Sequence, residues 1–233
     1  MLTHGLTLTC VVVSHNKPTI VVDVISSLMR QTIRSGWRAI IVDSGILFDA
    51  GYFFHQALPN NITVIRSEET QYVREHLVPH SWCVNQLFLA GLVNSDLVCY
   101  VCDDDIYYDH AFDTIISTFA EHSDWQACYF PINWAELTDK LEMRGRSNSV
   151  GVGGSCCGGR SLNCIIDGMQ ICHRVDVVQT LRPEIWPESR HNIANADGVF
   201  LDKLGGLVPI YEAQCEPIGI NRKTPFSLSR FSG

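Results

Sequence analysis

The sequence predicts an α/β fold with a mostly parallel central sheet flanked by helices, and three observations carry that expectation. Short β-branched and apolar runs at Leu8–Val13, Ala39–Val42, Ile62–Ile65 and Leu97–Val101 read as strands. Segments of helical periodicity alternate with them, the pattern that builds a doubly wound sheet. Leu97–Val101 is apolar at every position, as a central parallel strand covered on both faces must be.

The elements follow in order. After Leu8–Val13, Pro18 opens a helix at the first-turn position it suits, with Ile20, Val21, Val24, Ile25, Leu28 and Met29 on one face. Ala39–Val42 runs into Asp43-Ser44-Gly45, and a short aromatic-rich helix around Tyr52–Ala57 leads to Ile62–Ile65. Ser81 is the expected N-cap of a helix through Val84, Leu87, Phe88 and Leu92, and Asp109 of one through Phe112, Ile115, Ile116 and Phe119. Gln126–Phe130 and Ile165–Cys172 read as strands, and Val175–Thr180 and Ala196–Leu204 as helices. Arg144–Arg160, rich in Gly and Ser and without a period, is expected to be a mobile loop, as a lid or as plain surface. With no repeat and no linker, one domain is expected over residues 1–233: a first half to about 105, a second from about 106 to 215, and a tail at 216–233.

Composition narrows the function classes. A formal net charge of -8, from 17 Lys and Arg against 25 Asp and Glu, supplies no electrostatic footprint for a phosphate backbone or an anionic membrane. Met1–Val13 has no basic stretch or cleavage site and is too short an apolar run to span a bilayer, so the chain is expected to be soluble and cytoplasmic. Of the ten cysteines, Cys10, Cys99, Cys102 and Cys128 lie in apolar runs and are expected to pack as reduced, small hydrophobes. Cys156, Cys157, Cys164 and Cys172 with His173 lack the paired two-residue spacing of a structural zinc site.

Chemistry concentrates at Asp103-Asp104-Asp105, directly after the buried strand. Three adjacent carboxylates there repel one another unless a cation or hydrogen bonds compensate. In extended geometry Asp103 and Asp105 face one side and Asp104 the other, so the outer pair can hold a hard cation, Mn2+ or Mg2+, whose shell substrate phosphates complete. The competing reading is a solvated acidic turn. No Gly-x-x-x-x-Gly-Lys-Ser/Thr segment is present, which removes the P-loop enzymes, and the glycines at 151–159 lack the strand-to-helix context of a dinucleotide fingerprint.

The order of several segments over roughly residues 6–205 resembles that of the GT-A-fold glycosyltransferases, and of the family 2-like inverting enzymes in particular. Val11 to Pro18, with its Ser14-His15-Asn16 exit, is similar to the first strand and nucleotide-contacting loop; Ile40 to Gly45 resembles the second, whose Asp43 would reach the nucleobase or ribose. Tyr100 to Ile106 is similar to the Asp-x-Asp segment, and Ala196-Asp197-Gly198 to the segment carrying the catalytic base. The resemblance implies a single GT-A-type, Rossmann-like domain and direct displacement with inversion. It implies a nucleoside-diphosphate sugar, UDP-sugar favoured, bound through Ser14, His15, Asn16, Asp43 and Asp104; a cation on Asp103 and Asp105; and Asp197 as base for an acceptor hydroxyl. Ala196 stands where the family usually has an acidic residue, so a helix N-cap role for Asp197 stays open. The Gln-x-x-Arg-Trp segment of processive synthases is absent, which implies single additions to a glycan or small molecule.

Arg66, Arg222 and Lys223 are candidate phosphate contacts, with a solvated surface role as the alternative, and His76, His80 and His191 candidate further ligands. Trp134 and Trp186 are read as packing rather than sugar-stacking residues. Three other functions stay open: transfer to a hydroxymethylated DNA base, disfavoured by net acidity; nucleotidyl transfer, which Ser14-His15-Asn16-Lys17 does not fit; and nucleotide-sugar binding without catalysis.

Overall fold

The computed structural model describes residues 5–15, 18–44, 58–67, 70–137, 143–150, 166–192 and 196–223. Seven strands form the main sheet: β1 (Leu8–Ser14), β2 (Trp37–Asp43), β3 (Ile62–Arg66), β4 (Leu97–Cys102), β6 (Ala127–Tyr129), β9 (Ile171–Arg174) and β10 (Ile210–Glu212), in the order β10-β6-β9-β4-β1-β2-β3. Every pairing is parallel except those of β9 with β4 and β6. Four strands form a second sheet, in the order β5-β11-β7-β8: β5 (Ile106–Tyr107), β7 (Ile132–Leu137), β8 (Met143–Val150) and β11 (Gly219–Lys223).

Both faces of the main sheet are buried, as the apolar run of β4 requires. Leu97, Cys99 and Val101 face a core shared with helices α1 (Pro18–Met29) and α4 (Ala111–Glu121), while Val98 and Tyr100 face α3 (Pro79–Leu89) and α5 (Ala196–Leu207). The α1 face is as expected at Ile20, Val21, Val24, Ile25 and Leu28, but Met29, at the helix end, is 49% exposed. Cys10, Cys99, Cys172 and Cys128 are in register across β1, β4, β9 and β6, all buried as small apolar side chains on the α1 face. All seven described cysteines are free thiols.

Several local expectations are corrected. Ser81 caps nothing: α3 starts earlier, at Pro79 after Val78, and Ser81 is buried inside it. A separate short helix, α2 (Gln71–His76), precedes it with Thr70 as cap. Asp109 does not cap α4, which starts after His110; Gln31 instead accepts the Phe112 N–H at 3.0 Å, and Asp109 pairs on the surface with Arg30 at 3.1 Å. The segment 166–170 is a 3-10 turn, Gly168–Gln170, rather than strand, and 176–181 is 3-10 rather than α-helix. Residues 143–150 are strand β8, antiparallel to β7, rather than loop, and 219–223 are strand β11 rather than tail. The remainder of the glycine-rich segment, 151–160, and the Tyr52–Ala57 helix lie outside the described residues.

The second sheet seats β11 against the segment that follows β4. Its key contact is Gly219, where a Cβ would stand 2.6 Å from the Ile106 carbonyl oxygen and 2.9 Å from Met169. Gly219→Ala is expected to force β11 away from β5 and to destabilise by about 1–3 kcal/mol in denaturant titration; unchanged stability contradicts the tight approach.

His173 is fully buried between Tyr100, whose hydroxyl lies 2.9 Å from Nε2, and the Arg174 carbonyl, 2.8 Å from Nδ1. The carbonyl can only accept, so Nδ1 carries the proton and Nε2 accepts from Tyr100. Burial pushes the His173 pKa down to about 4. The unfolded chain, with a pKa near 6.5, takes up a proton first as pH falls, so the contribution is complete above pH 6.5 and is lost between about pH 6.5 and 4. Stability is expected to fall by roughly 2 kcal/mol from pH 7 to pH 5 through this residue, and His173→Gln should flatten that slope; an unaltered slope contradicts the assignment.

Candidate active site

The chain passes from β1 outward to β2 and β3, then returns to place β4 on the other side of β1. This reversal opens a crevice at the carboxyl ends of β1 and β4, the position where open α/β sheets take ligands. Ser14 ends β1 and Asp43 ends β2 in register with it. Both are buried, as is Ser44. The Ser44 hydroxyl donates to the Ser14 carbonyl at 3.1 Å and lies 3.1 Å from His15 Nδ1, so the two strand exits are tied together. Asn16 lies outside the described residues.

Asp103, Asp104 and Asp105 are exposed by only 5%, 7% and 1%. They do not continue β4 in extended form: the Asp105 N–H donates to the Cys102 carbonyl at 3.2 Å, closing a turn. The turn replaces the expected alternation of side chains. Asp103 accepts the His15 backbone N–H at 2.9 Å and so braces the β1 exit, whereas Asp104 and Asp105 group with Cys102, all three offering ligand atoms within 4.8 Å of one another. Cys102 is accordingly exposed at the strand end rather than packed as a small hydrophobe.

Asp105 is held at both oxygens. Oδ1 accepts the Arg222 backbone N–H at 2.7 Å, and Oδ2 lies 3.4 Å from Asn221 Nδ2. Burial, then the charges of Asp104 and Asp167, push its carboxyl well above the usual range, against the pull of Arg222. Such a buried, mutually repelling set is one that a divalent cation would stabilise. Two carboxylate oxygens fit a partial shell for such an ion, leaving positions for water or phosphate, while desolvation of the sulfur and the neighbouring carboxylates push the Cys102 thiol well above its ordinary value and keep it protonated beside them.

Arg222 is not a surface residue. It is 8% exposed, its Nε donates to the Asp104 carbonyl, and Nη1 pairs with Asp23 of α1 at 2.7 Å. Its Nη2 is buried with no hydrogen-bond partner among the described residues. Arg66 is exposed at the end of β3, in register with Asp43; Lys223 ends β11, and its side chain lies outside the described residues.

Asp197 opens α5 and is half-buried. Its Oδ1 accepts the N–H of Gly198 at 2.8 Å, and its Cβ would meet a Cβ at Gly168 at 3.5 Å. Burial raises the Asp197 carboxyl above its ordinary value, opposed by backbone N–H groups including that of Gly168. Residue 168 follows Asp167, whose Oδ1 takes the Met169 N–H at 3.0 Å and whose Oδ2 takes Asn221 Nδ2 at 2.9 Å. Asp105, Asn221, Asp167 and Asp197 therefore form a continuous edge of the crevice.

Cys102, Asp167 and Asn221 stand beside the carboxylates although the local sequence pattern singles out none of them as a site residue. An apolar run ending in Asp167-Gly168 was the available signal for the second of these; the other two depend on the turn and on β11. His76 and His191 are exposed, and His80 stacks edge-on to Trp186, so none joins the described carboxylate group. Trp186 is packing, 4.5 Å from Phe200 in a stacked pair. A separate concavity of about 450 Å3, lined in part by Asp96, Arg174 and Arg182, lies at the opposite end of β4. No described helix is long and apolar enough to cross a membrane.

No protein-family model and no curated protein sequence matches the chain. Among solved structures it is similar to S. aureus TarS 1-349 in complex with UDP, with a TM-score of 0.69 and 14% identity over 94% of this chain and 61% of that one. The complex of the same fragment with UDP-GlcNAc gives a TM-score of 0.67 and 14% identity over 98% of this chain and 61% of that one. Against the longer S. aureus TarS structure the TM-score is 0.66 at 14% identity, over 94% of this chain and 37% of that one. The chain thus spans about three-fifths of the shorter TarS structures and little more than a third of the longer one. It has the fold of TarS, the GT-A type of α/β fold that the order of its motifs predicts.

Proposed function

We propose that this chain is a metal-dependent glycosyltransferase that moves a sugar from a nucleoside-diphosphate sugar, a UDP-sugar by preference, to an acceptor hydroxyl, singly and with inversion. The observation that carries the reading is the nine-tenths-buried carboxylate turn at the topological switch point, with Asp197 reached from it along one edge through Asn221, Asp167 and Gly168. The TarS structures solved with UDP and UDP-GlcNAc support the choice of donor.

Asp104 and Asp105, with Cys102 beside them, would hold Mn2+ or Mg2+, the hard cations that carboxylate oxygens suit. The ion would supply neutralisation of charge on the leaving diphosphate. Asp103 holds the β1 exit in place through His15, so that Ser14, His15 and Asp43 line the nucleotide end. The buried, unpaired Nη2 of Arg222 is a donor suited to a phosphate oxygen. Asp197 takes the proton of the acceptor hydroxyl as its oxygen attacks the anomeric carbon. Cytoplasmic location and a glycan or small-molecule acceptor belong to the same reading.

Thermal unfolding with UDP-GlcNAc and other nucleotide sugars tests donor and metal together. One donor is expected to stabilise the protein in the presence of Mn2+, by about 2.7 kcal/mol at a hundredfold excess over Kd, and Asp104→Ala with Asp105→Ala should abolish the shift. A shift indifferent to both metal and carboxylates would reduce Asp103–Asp105 to an acidic turn.

Asp197→Asn should lower kcat by on the order of 10²–10⁴ while leaving donor binding intact. The acid limb of the wild-type kcat/KM profile should sit above the ordinary carboxylate range, because the base must be ionised and burial raises its pKa. Near-normal turnover in Asp197→Asn removes it as base; donor binding without turnover in the wild type indicates a binding module.

A further inference from the structure

Asn221 occupies a position that neither its sequence context nor the proposed chemistry assigns. Its single Nδ2 stands between two carboxylates, 2.9 Å from Asp167 Oδ2 and 3.4 Å from Asp105 Oδ2. Two carboxylates that share one nitrogen lie close enough to repel one another. A side-chain amide carries two hydrogens on one nitrogen and no net charge, so it can face both anions at once without adding to the charge of the site.

We infer that Asn221 is a positioning residue that sets the orientation of the Asp105 carboxylate for the cation and couples it to the Asp197 side of the crevice. The inference rests on the metal-dependent reading above. With Oδ1 of Asp105 on the Arg222 backbone N–H at 2.7 Å and Oδ2 facing Asn221, the carboxylate is fixed about its last torsion, and its remaining lone pairs are left for the ion. Residues that orient a metal ligand in this way shift affinity about 10–100-fold when removed.

The coupling to the far side runs through Asp167. Its two oxygens are divided between Asn221 and the Met169 N–H, so the amide also holds the 3-10 turn Gly168–Gln170. Gly168 packs against Asp197 and Trp186, at 3.5 Å from each to a Cβ placed there. One side chain on β11 therefore spans the two chemical ends of the crevice. Its own place is set by the main chain, through parallel pairing with Trp134 of β7, so substitution of the side chain leaves the Arg222 backbone bond intact.

The test is Mn2+ affinity, read by electron paramagnetic resonance on the full chain without donor, together with the unfolding temperature. Asn221→Leu, similar in size but without donors, is expected to fold with a modestly lower unfolding temperature and to weaken Mn2+ binding about 10–100-fold. Asn221→Gln keeps the amide one methylene further out and should recover part of the loss; it also serves if the leucine variant fails to fold. Mn2+ affinity within threefold of the wild type in both variants overturns the positioning role and leaves the metal reading standing. A wild type that binds UDP-GlcNAc but not Mn2+ overturns the metal reading and this inference together.

Discussion

The arrangement of the molecule depends on keeping three consecutive carboxylates, each at least nine-tenths buried, at the end of the central strand β4. Removing that many charges from water is costly unless each finds a donor or a cation. The surroundings of Asp103–Asp105 are organised accordingly. The β1 exit gives Asp103 a backbone N–H, and β11 gives Asp105 another, with Asn221 beside it. Arg222 places its guanidinium behind the turn, on the Asp104 carbonyl and on Asp23 of α1.

This constraint explains the second sheet. β5 follows the carboxylates directly and β11 pairs with it antiparallel, which brings residues about 115 positions away in sequence against Asp105. Gly219 makes that approach possible because any side chain there would enter the Ile106 carbonyl. The hydrophobic cores on the two faces of the main sheet hold the frame, and the smaller sheet aims the polar groups. β1, β2 and β4 thus serve both the core and the site, and β11 adds the donors that face Asp105.

Much of the frame was legible in the sequence. Strands such as Leu8–Ser14 and Leu97–Cys102, and helices such as α1 and α5, announce themselves through period and apolar runs, because both faces of the main sheet are covered. The acidic turn and Asp197 were legible as residues, but not their geometry. Local alternation placed Asp103 with Asp105, while the turn at Cys102–Asp105 sends Asp103 to His15 and groups Asp104 with Asp105. β7, β8 and β11 carry weak patterns, with Asn133, Arg144, Arg146 and Asn221 among their residues, because their pairing depends on partners far away in sequence. Caps failed for a similar reason: Gln31, distant in sequence, serves α4 in place of the neighbouring Asp109.

The most direct test of a cation held at the end of β4 is a crystal structure with UDP and Mn2+, with anomalous scattering collected at the manganese edge. One strong peak is expected within bonding distance of Asp104 and Asp105 and of a diphosphate oxygen, with the uridine at the ends of β1 and β2 beside Asp43. A diphosphate bound away from β4, or manganese sited elsewhere while UDP occupies the crevice, would contradict this placement.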